Sequence, residues 1–238
     1  MGWEYLVDLD ETASRLTLMR DARSDNAAFR AARDAPRAGR KAKGQKHAKV
    51  LDAIRAALPE DGIFVEELTQ ISYVSRFAFA AYQPRTYLSS GYQGTFGWGL
   101  ATALGAKLAM PDRKIVSIAG DGGFMFNVQE LATAVKHKIA VAIVVLNDNA
   151  YGNVKRMQQE NYDGRTIASD LANPNFVALA EAFGARGLRA DTPDELGRAI
   201  GASFETDDAP TVIEVPCGEF PSPWGLVQLP RQRGARSQ

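Results

Sequence analysis

Apolar residues from about position 50 onward fall into short continuous runs that alternate with longer amphipathic stretches. Short apolar runs bounded by turn residues are typical of strands buried on both faces of a sheet. The predicted strands are Ile63–Val65, Ile115–Ala119, Val141–Leu146 and Thr211–Val215. Helices are predicted at 50–58, 100–110, 128–138, 175–183 and 193–204. This alternation predicts an α/β fold with an open, mostly parallel sheet and helices on both of its faces.

The two ends of the chain differ from this middle part. Residues 1–46 are poor in apolar residues, and from 33 to 49 basic residues outnumber acidic ones seven to one. We therefore predict a linker or partly ordered segment at 1–46 and an α/β domain at 47–217. His47, at the border with the linker, is predicted to be solvated. The proline-containing residues 218–238 are predicted to form an extended arm. Trp224 in this arm is either an anchor or part of a lid.

Composition narrows the possible functions. Lys plus Arg and Asp plus Glu both number 28, so the formal net charge is zero, and neither nucleic acid nor an anionic membrane surface is an expected partner. The longest apolar run, Ile139–Leu146, is far shorter than the roughly 20 residues that span a bilayer. The single cysteine excludes a disulfide framework built from these residues. No signal peptide is recognisable, so a cytoplasmic location is expected.

Two predicted strands run into loops that carry acidic and glycine residues. Gly120-Asp121-Gly122-Gly123 follows one strand, and Asn147-Asp148-Asn149-Ala150-Tyr151-Gly152 follows the next. In open parallel sheets, ligands bind beyond the carboxyl ends of the strands. Glycines allow close backbone approach to a diphosphate, and the carboxylates of Asp121 and Asp148 suit a divalent cation. The alternative is that Asp121 caps a helix and that the rest is turn chemistry.

The spacing of these loops resembles that of a known family. Gly120-Asp121-Gly122 is separated by 24 residues from Asn147-Asp148. This pattern is similar to the thiamine diphosphate fingerprint, in which Gly-Asp-Gly precedes Asn-Asn by about two dozen residues. The resemblance continues through Ser90–Gly99 and Tyr151-Gly152, covers about 46–230, and is strongest to the acetolactate synthase (acetohydroxyacid synthase) group. It implies the thiamine diphosphate-binding fold.

The resemblance implies a magnesium site and a thiamine diphosphate site. By analogy with the family, Mg²⁺ is held by Asp121, by the side chain of Asp148 and by the backbone carbonyl of Ala150. Asp148 replaces the usual Asn, which keeps an oxygen ligand and adds a charge. Ile71 stands where acetolactate synthases often have His, which removes one donor, and Gly123 stands where the family commonly has Ser. The implied cofactor-binding residues are Gln70, Gly94, Thr95, Phe96, Gly120, Gly122, Gly123, Tyr151 and Gly152, with Phe96 beneath the bent cofactor.

The resemblance also implies a function and a partner. In the family, the activating glutamate lies on a pyrimidine-binding domain, usually from another subunit. No catalytic residue is identified in this chain. We therefore expect a thiamine diphosphate- and magnesium-binding subunit or fragment of a 2-oxo acid decarboxylase or carboligase, a lyase or transferase inactive by itself. It would work in a homo- or hetero-oligomer with a pyrimidine-binding domain on another chain.

Two alternatives remain open at this point. One is a non-catalytic scaffold or regulatory module that keeps the cofactor fold. The other is the cofactor subunit of a 2-oxo acid:ferredoxin oxidoreductase, whose expected cluster-ligating cysteines are not in this sequence.

Overall fold

The computed structural model describes residues 45–91 and 93–224. The strands in these ranges are β1 (Ile63–Glu66), β2 (Tyr87–Leu88), β3 (Ile115–Gly120), β4 (Ala142–Asn147), β5 (Arg186–Arg189) and β6 (Thr211–Pro216). The helices are α1 (Gln45–Ala57), α2 (Gln70–Ala78), α3 (Trp98–Ala109), α4 (Asp121–Met125), α5 (Glu130–Lys136), α6 (Gly152–Asn161), α7 (Phe176–Ala182) and α8 (Pro193–Ser203).

The six strands form one sheet in the order β2-β1-β3-β4-β6-β5, and all neighbouring strands are parallel. The predicted fold class is therefore confirmed. The central strands β3, β4 and β6 are buried along nearly their whole length. Their continuous apolar runs follow from this position, because helices cover both faces of the sheet.

Alternate residues of each strand serve two separate cores. On β4, Val144 and Leu146 pack with α1, α2 and α8, whereas Ile143 and Val145 pack with α3, α5 and α7. This is the two-residue period of a strand, read on both faces. Because β1, β3 and β4 are parallel, their carboxyl ends lie at the same edge of the sheet. The helices on both faces hold these ends in place.

Several short elements were not predicted from the sequence. Helix α2 begins with a capping box in which the Thr69 and Ser72 side chains accept hydrogen bonds from each other's backbone N–H groups. Helix α6 is rich in polar residues, and β5 is an edge strand that begins and ends with arginine. Helix α2 has nine residues and β5 has four, so each gives only a short pattern in the sequence.

Near the predicted domain boundaries, the first and the last described segments of the chain contact each other. The linker predicted at 1–46 lies outside the described residues apart from the start of α1, as does the arm beyond 224. Lys46 donates hydrogen bonds from Nζ to the carbonyls of Cys217 and Glu219, at 2.8 and 2.7 Å. None of the described helices is both long and apolar enough to cross a bilayer.

His47 is buried, so the prediction that it is solvated is wrong. Its side chain belongs to α1, and its ring lies 4.9 Å from that of Phe220, which follows β6. Neither ring nitrogen has a hydrogen-bond partner among the described residues. Burial, together with the charges of Arg156 and Lys46, lowers the pKa of His47 to about 4.

We expect His47 to destabilise the fold in acid. Its folded pKa lies below its unfolded value, so the unfolded state takes up the proton first and stability falls as the pH drops from about 6.5 toward about 4. The free energy of unfolding of the wild type minus that of His47→Phe should therefore decrease between about pH 7.5 and about pH 5. Urea titrations measure it, with the exposed His137→Phe as control. A difference that is constant with pH would contradict the burial of a neutral imidazole.

Candidate functional site

A cavity of about 110 Å³ lies at the carboxyl edge of the sheet, where β1, β3 and β4 end. Every predicted site residue lines this cavity except Gly94 and Thr95. The residues that the structure brings together are Gln70, Phe96, Gly120, Asp121, Gly122, Gly123, Asp148, Ala150, Tyr151 and Gly152.

Asp121 is the first residue of α4 and is only 2% exposed. Its Oδ1 accepts a hydrogen bond from the backbone N–H of Gly122 at 2.8 Å, and its Oδ2 accepts one from Asn173 Nδ2 at 2.6 Å. Burial raises the pKa of Asp121, and these hydrogen bonds offset part of the effect. The N-cap position itself belongs to Gly120, so helix capping does not account for the placement of this carboxylate.

Asp148 follows β4 and lines the same cavity as Asp121. Burial and then the negative charge of Asp121 raise the pKa of Asp148 to about 6. Its Oδ1 accepts a hydrogen bond of 3.2 Å from the backbone N–H of Ala150. Within 45–91 and 93–224 no three His, Cys, Asp or Glu residues form a cluster suited to a metal ion. The acidic part of the cavity thus consists of two carboxylates that repel each other.

Asn173 ties the two acidic loops together, and the sequence analysis missed it. Its Nδ2 donates to Asp121 Oδ2 at 2.6 Å and to Asn147 Oδ1 at 2.9 Å. The segment that carries Asn173 is held in place by a bridge between Ala150 and Asp170. No local pattern marks an asparagine in a long loop, so only the folded chain identifies this contact.

Gln70 is the first residue of α2, and it is 7% exposed. Its Oε1 accepts a hydrogen bond of 2.7 Å from Arg156 Nη1, whereas its Nε2 has no partner among the described residues. Buried polar groups normally have partners, so this unpaired amide donor beside the cavity is available to a ligand. Ile71, the next residue, points into the core and contributes nothing to the cavity.

Glu67 is a second buried residue that the sequence analysis missed. Both of its carboxylate oxygens accept backbone N–H bonds, from Gly97 at 2.9 Å and from Gly99 at 2.8 Å. A Cβ atom at Gly123 would lie 2.1 Å from Glu67 Oε1. Glu67 thus fixes the loop that carries Phe96 and requires glycine at position 123, where the family commonly has serine.

Phe96 lies at the mouth of the cavity and is 40% exposed. Its ring stacks on Phe126 at 5.2 Å between centroids and contacts Tyr151 at 5.4 Å. Phe126 is itself 55% exposed. Phe96, Phe126 and Tyr151 form an aromatic cluster next to the acidic residues, and two of its rings are open to solvent.

Gly94 and Thr95 do not reach the cavity directly. A Cβ atom at Gly94 would lie 2.4 Å from Leu68 Cδ1, so this glycine allows its loop to pack against Leu68, which does line the cavity. Thr95 is exposed. Their cofactor-binding roles remain predictions.

Gly152 brings the start of α6 close to the acidic pair. A Cβ atom at this position would lie 2.5 Å from Asp148 Oδ2 and 3.9 Å from Gln70 Nε2. Backbone N–H groups at the start of a helix are available to an anion. The cavity therefore combines two carboxylates with anion-binding donors, which suits a metal ion bound together with a phosphate group.

Trp224 bridges the two helices beside the cavity. Its ring lies 4.9 Å from that of Tyr73 on α2, and its Nε1 donates to Asn153 Oδ1 on α6 at 3.2 Å. These contacts are those of an anchor for the residues that follow β6.

The geometry agrees with comparisons to known proteins. The family model for the thiamine pyrophosphate enzyme C-terminal TPP-binding domain matches residues 69–215. Acetolactate synthase of Bacillus subtilis (strain 168) is 40% identical over 144 residues, which are 60% of this chain and 25% of that protein. The probable 2-ketoarginine decarboxylase AruI of Pseudomonas aeruginosa is 36% identical over 170 residues, 71% of this chain and 30% of that protein.

A solved structure is also similar. The thiamine diphosphate-dependent 4-hydroxybenzoylformate decarboxylase of Rhodococcus jostii RHA1 has a TM-score of 0.67 and 32% identity, with 73% of this chain and 32% of that chain covered. The chain therefore spans less than a third of the length of each of these relatives.

We expect Gly123→Ala to destabilise the protein by about 1–3 kcal/mol, because the new methyl group displaces Glu67 and leaves buried N–H groups unpaired. Gly105→Ala is the matched control, since beyond its chain neighbours and its own helix backbone no atom lies within 4 Å of the new Cβ. Urea unfolding provides the measurement. In a Glu67→Ala background the Gly123→Ala penalty should largely disappear, and an unchanged penalty would contradict the clash.

Proposed function

Because this chain belongs to the thiamine pyrophosphate enzyme family, through its C-terminal TPP-binding domain, we propose that it holds thiamine diphosphate with Mg²⁺ in an acetolactate synthase-like 2-oxo acid decarboxylase or carboligase. The observation that carries this proposal is the unpaired, buried Nε2 of Gln70 beside two carboxylates in one cavity. A diphosphate would supply the acceptor that this donor lacks. Asp121 and Asp148 would hold a divalent cation beside it.

The residues around the cavity fit such a ligand. Gln70 Nε2 and the backbone N–H groups near Gly152 would bind the diphosphate oxygens. Gly120 leaves room for them, since a Cβ atom there would contact only Thr69 Cγ2, at 3.7 Å. Phe96 would lie beneath the rings of the cofactor, in an orientation fixed by Glu67.

The two carboxylates support the metal assignment. Asp121, Asp148 and the carbonyl of Ala150 would supply three oxygen ligands of the kind that Mg²⁺ prefers. Burial and then the charge of Asp121 raise the pKa of Asp148, and a bound dication would stabilise the ionised carboxylate. The aspartate at 148 therefore binds the metal with more negative charge than the family's asparagine.

When bound, thiamine diphosphate supplies the electron sink that allows a 2-oxo acid to lose carbon dioxide and its acyl unit to be transferred. The chain's own residues anchor and orient the cofactor. Substrates of the 2-oxo acid class follow from the acetolactate synthase and decarboxylase relatives. The choice between lyase and transferase activity depends on the second substrate.

The aromatic cluster supports a partner domain. Phe96 is exposed at the mouth of the cavity, next to the position proposed for the cofactor rings, and Phe126, which stacks on it, is exposed as well. We propose that a pyrimidine-binding domain on another chain covers them and contributes the activating glutamate. The working assembly is then a homo- or hetero-oligomer.

We expect thiamine diphosphate binding by the full chain to require Mg²⁺, because diphosphate and two carboxylates repel each other without it. Isothermal titration calorimetry with and without a chelator measures this dependence. Asp121→Ala should remove binding, whereas Asp148→Asn, which keeps an oxygen ligand, should preserve it. Equal affinity in the presence of chelator would overturn the metal assignment.

We expect the chain alone neither to decarboxylate pyruvate nor to accelerate exchange of the cofactor C2 proton beyond the rate of free cofactor. The reason is that the activating glutamate belongs to the proposed partner domain. Proton NMR follows the exchange, with the assembled complex as the positive control. Strong acceleration by the chain alone would overturn the proposed division of the site.

A further inference from the structure

Arg156 is a buried cation on α6 that has no role in the function proposed above. Its residue exposure is only 5%. Nη1 donates to Gln70 Oε1 at 2.7 Å, and Nη2 donates to the backbone carbonyl of Phe220. The nearest carboxylate oxygen, of Glu219, is 3.7 Å from Nη2 and belongs to a largely exposed side chain.

The contact between Arg156 and Gln70 decides which end of the amide faces the cavity. A guanidinium group has only donors, so it must meet the amide oxygen and not the amide nitrogen. The Nε2 group of Gln70 is therefore directed away from Arg156, and it is the atom left without a partner among the described residues. Without Arg156, the amide could rotate by half a turn and present an oxygen to a negatively charged ligand.

We propose that Arg156 is a positioning residue that holds Gln70 with its amide N–H₂ donor toward the diphosphate. This inference rests on the proposed function, since it concerns the orientation of a residue that binds the cofactor. Arg156 contributes through Gln70, and it also joins the segment after β6 to the wall of the site by its bond to Phe220. Its role gains weight from Ile71, which leaves no side-chain donor at the neighbouring position.

The test is a double-mutant cycle on the full chain, with thiamine diphosphate and MgCl₂ as the probe. Arg156→Met and Gln70→Met should each raise the dissociation constant roughly tenfold, the usual loss for one hydrogen bond to a charged group. The double variant should bind no more weakly than Gln70→Met, because Arg156 acts through Gln70. Arg156→Lys, which keeps a donor, should bind more tightly than Arg156→Met.

Other outcomes would overturn the proposal. Unchanged affinity in Arg156→Met would show that Arg156 does not orient the amide. Losses that multiply in the double variant would show that Arg156 acts independently, by contacting the diphosphate or by fixing the Phe220 segment. If the wild-type chain does not bind the probe, the proposed function fails and this inference fails with it, whereas wild-type binding with no Arg156 effect removes the inference alone.

A measurement on the wild type covers the case in which Arg156→Met does not fold. In ¹⁵N-labelled chain, the Gln70 Nε2 protons, assigned by their absence in Gln70→Met, should shift on addition of the probe. Unfolding of each variant without ligand is measured in parallel. A Gln70 signal that does not respond to saturating probe would overturn the proposal.

Discussion

Asp121 and Asp148 each follow a strand of the same parallel sheet, and adjacent parallel strands end at the same edge. Their carboxylates therefore share one partly buried cavity, where burial and then the charge of Asp121 raise the pKa of Asp148 to about 6. Most other features of the site respond to this concentration of negative charge. Asn173 donates to Asp121, the amide of Ala150 donates to Asp148, and the proposed dication would neutralise both.

The cavity walls depend on backbone that approaches side chains more closely than a Cβ atom would allow. Glu67 accepts hydrogen bonds from two glycine amides and fills the space in which a side chain at 123 would lie. Gly152 makes room for Asp148 in the same way. These contacts lie beneath Phe96 and beside the acidic pair. A change in the packing of the loops would therefore also change the geometry of the site.

Three departures from the family pattern have a common consequence. Ile71 belongs to the hydrophobic core, Gly123 has no side chain with which to bind phosphate, and Asp148 adds a negative charge. The cavity thus has fewer side-chain donors and more negative charge than the family pattern provides. Binding of the proposed diphosphate would therefore depend more strongly on the amide of Gln70, on its orientation by Arg156, and on the metal.

The sequence alone determined the fold class, the central strands and the family, because continuous apolar runs and the spacing of Gly-Asp-Gly from Asn147-Asp148 are local in the chain. It also placed the two aspartates at one edge, since parallel strands allow no other arrangement. Only the tertiary structure identified the contacts of Glu67, Asn173 and Arg156. It also showed that His47 is buried and not solvated, and it revealed helices α2 and α6. These residues depend on partners such as Gly97, Gln70 and Phe220, which are far away along the chain, and a linear pattern does not contain contacts that form only when distant segments pack together.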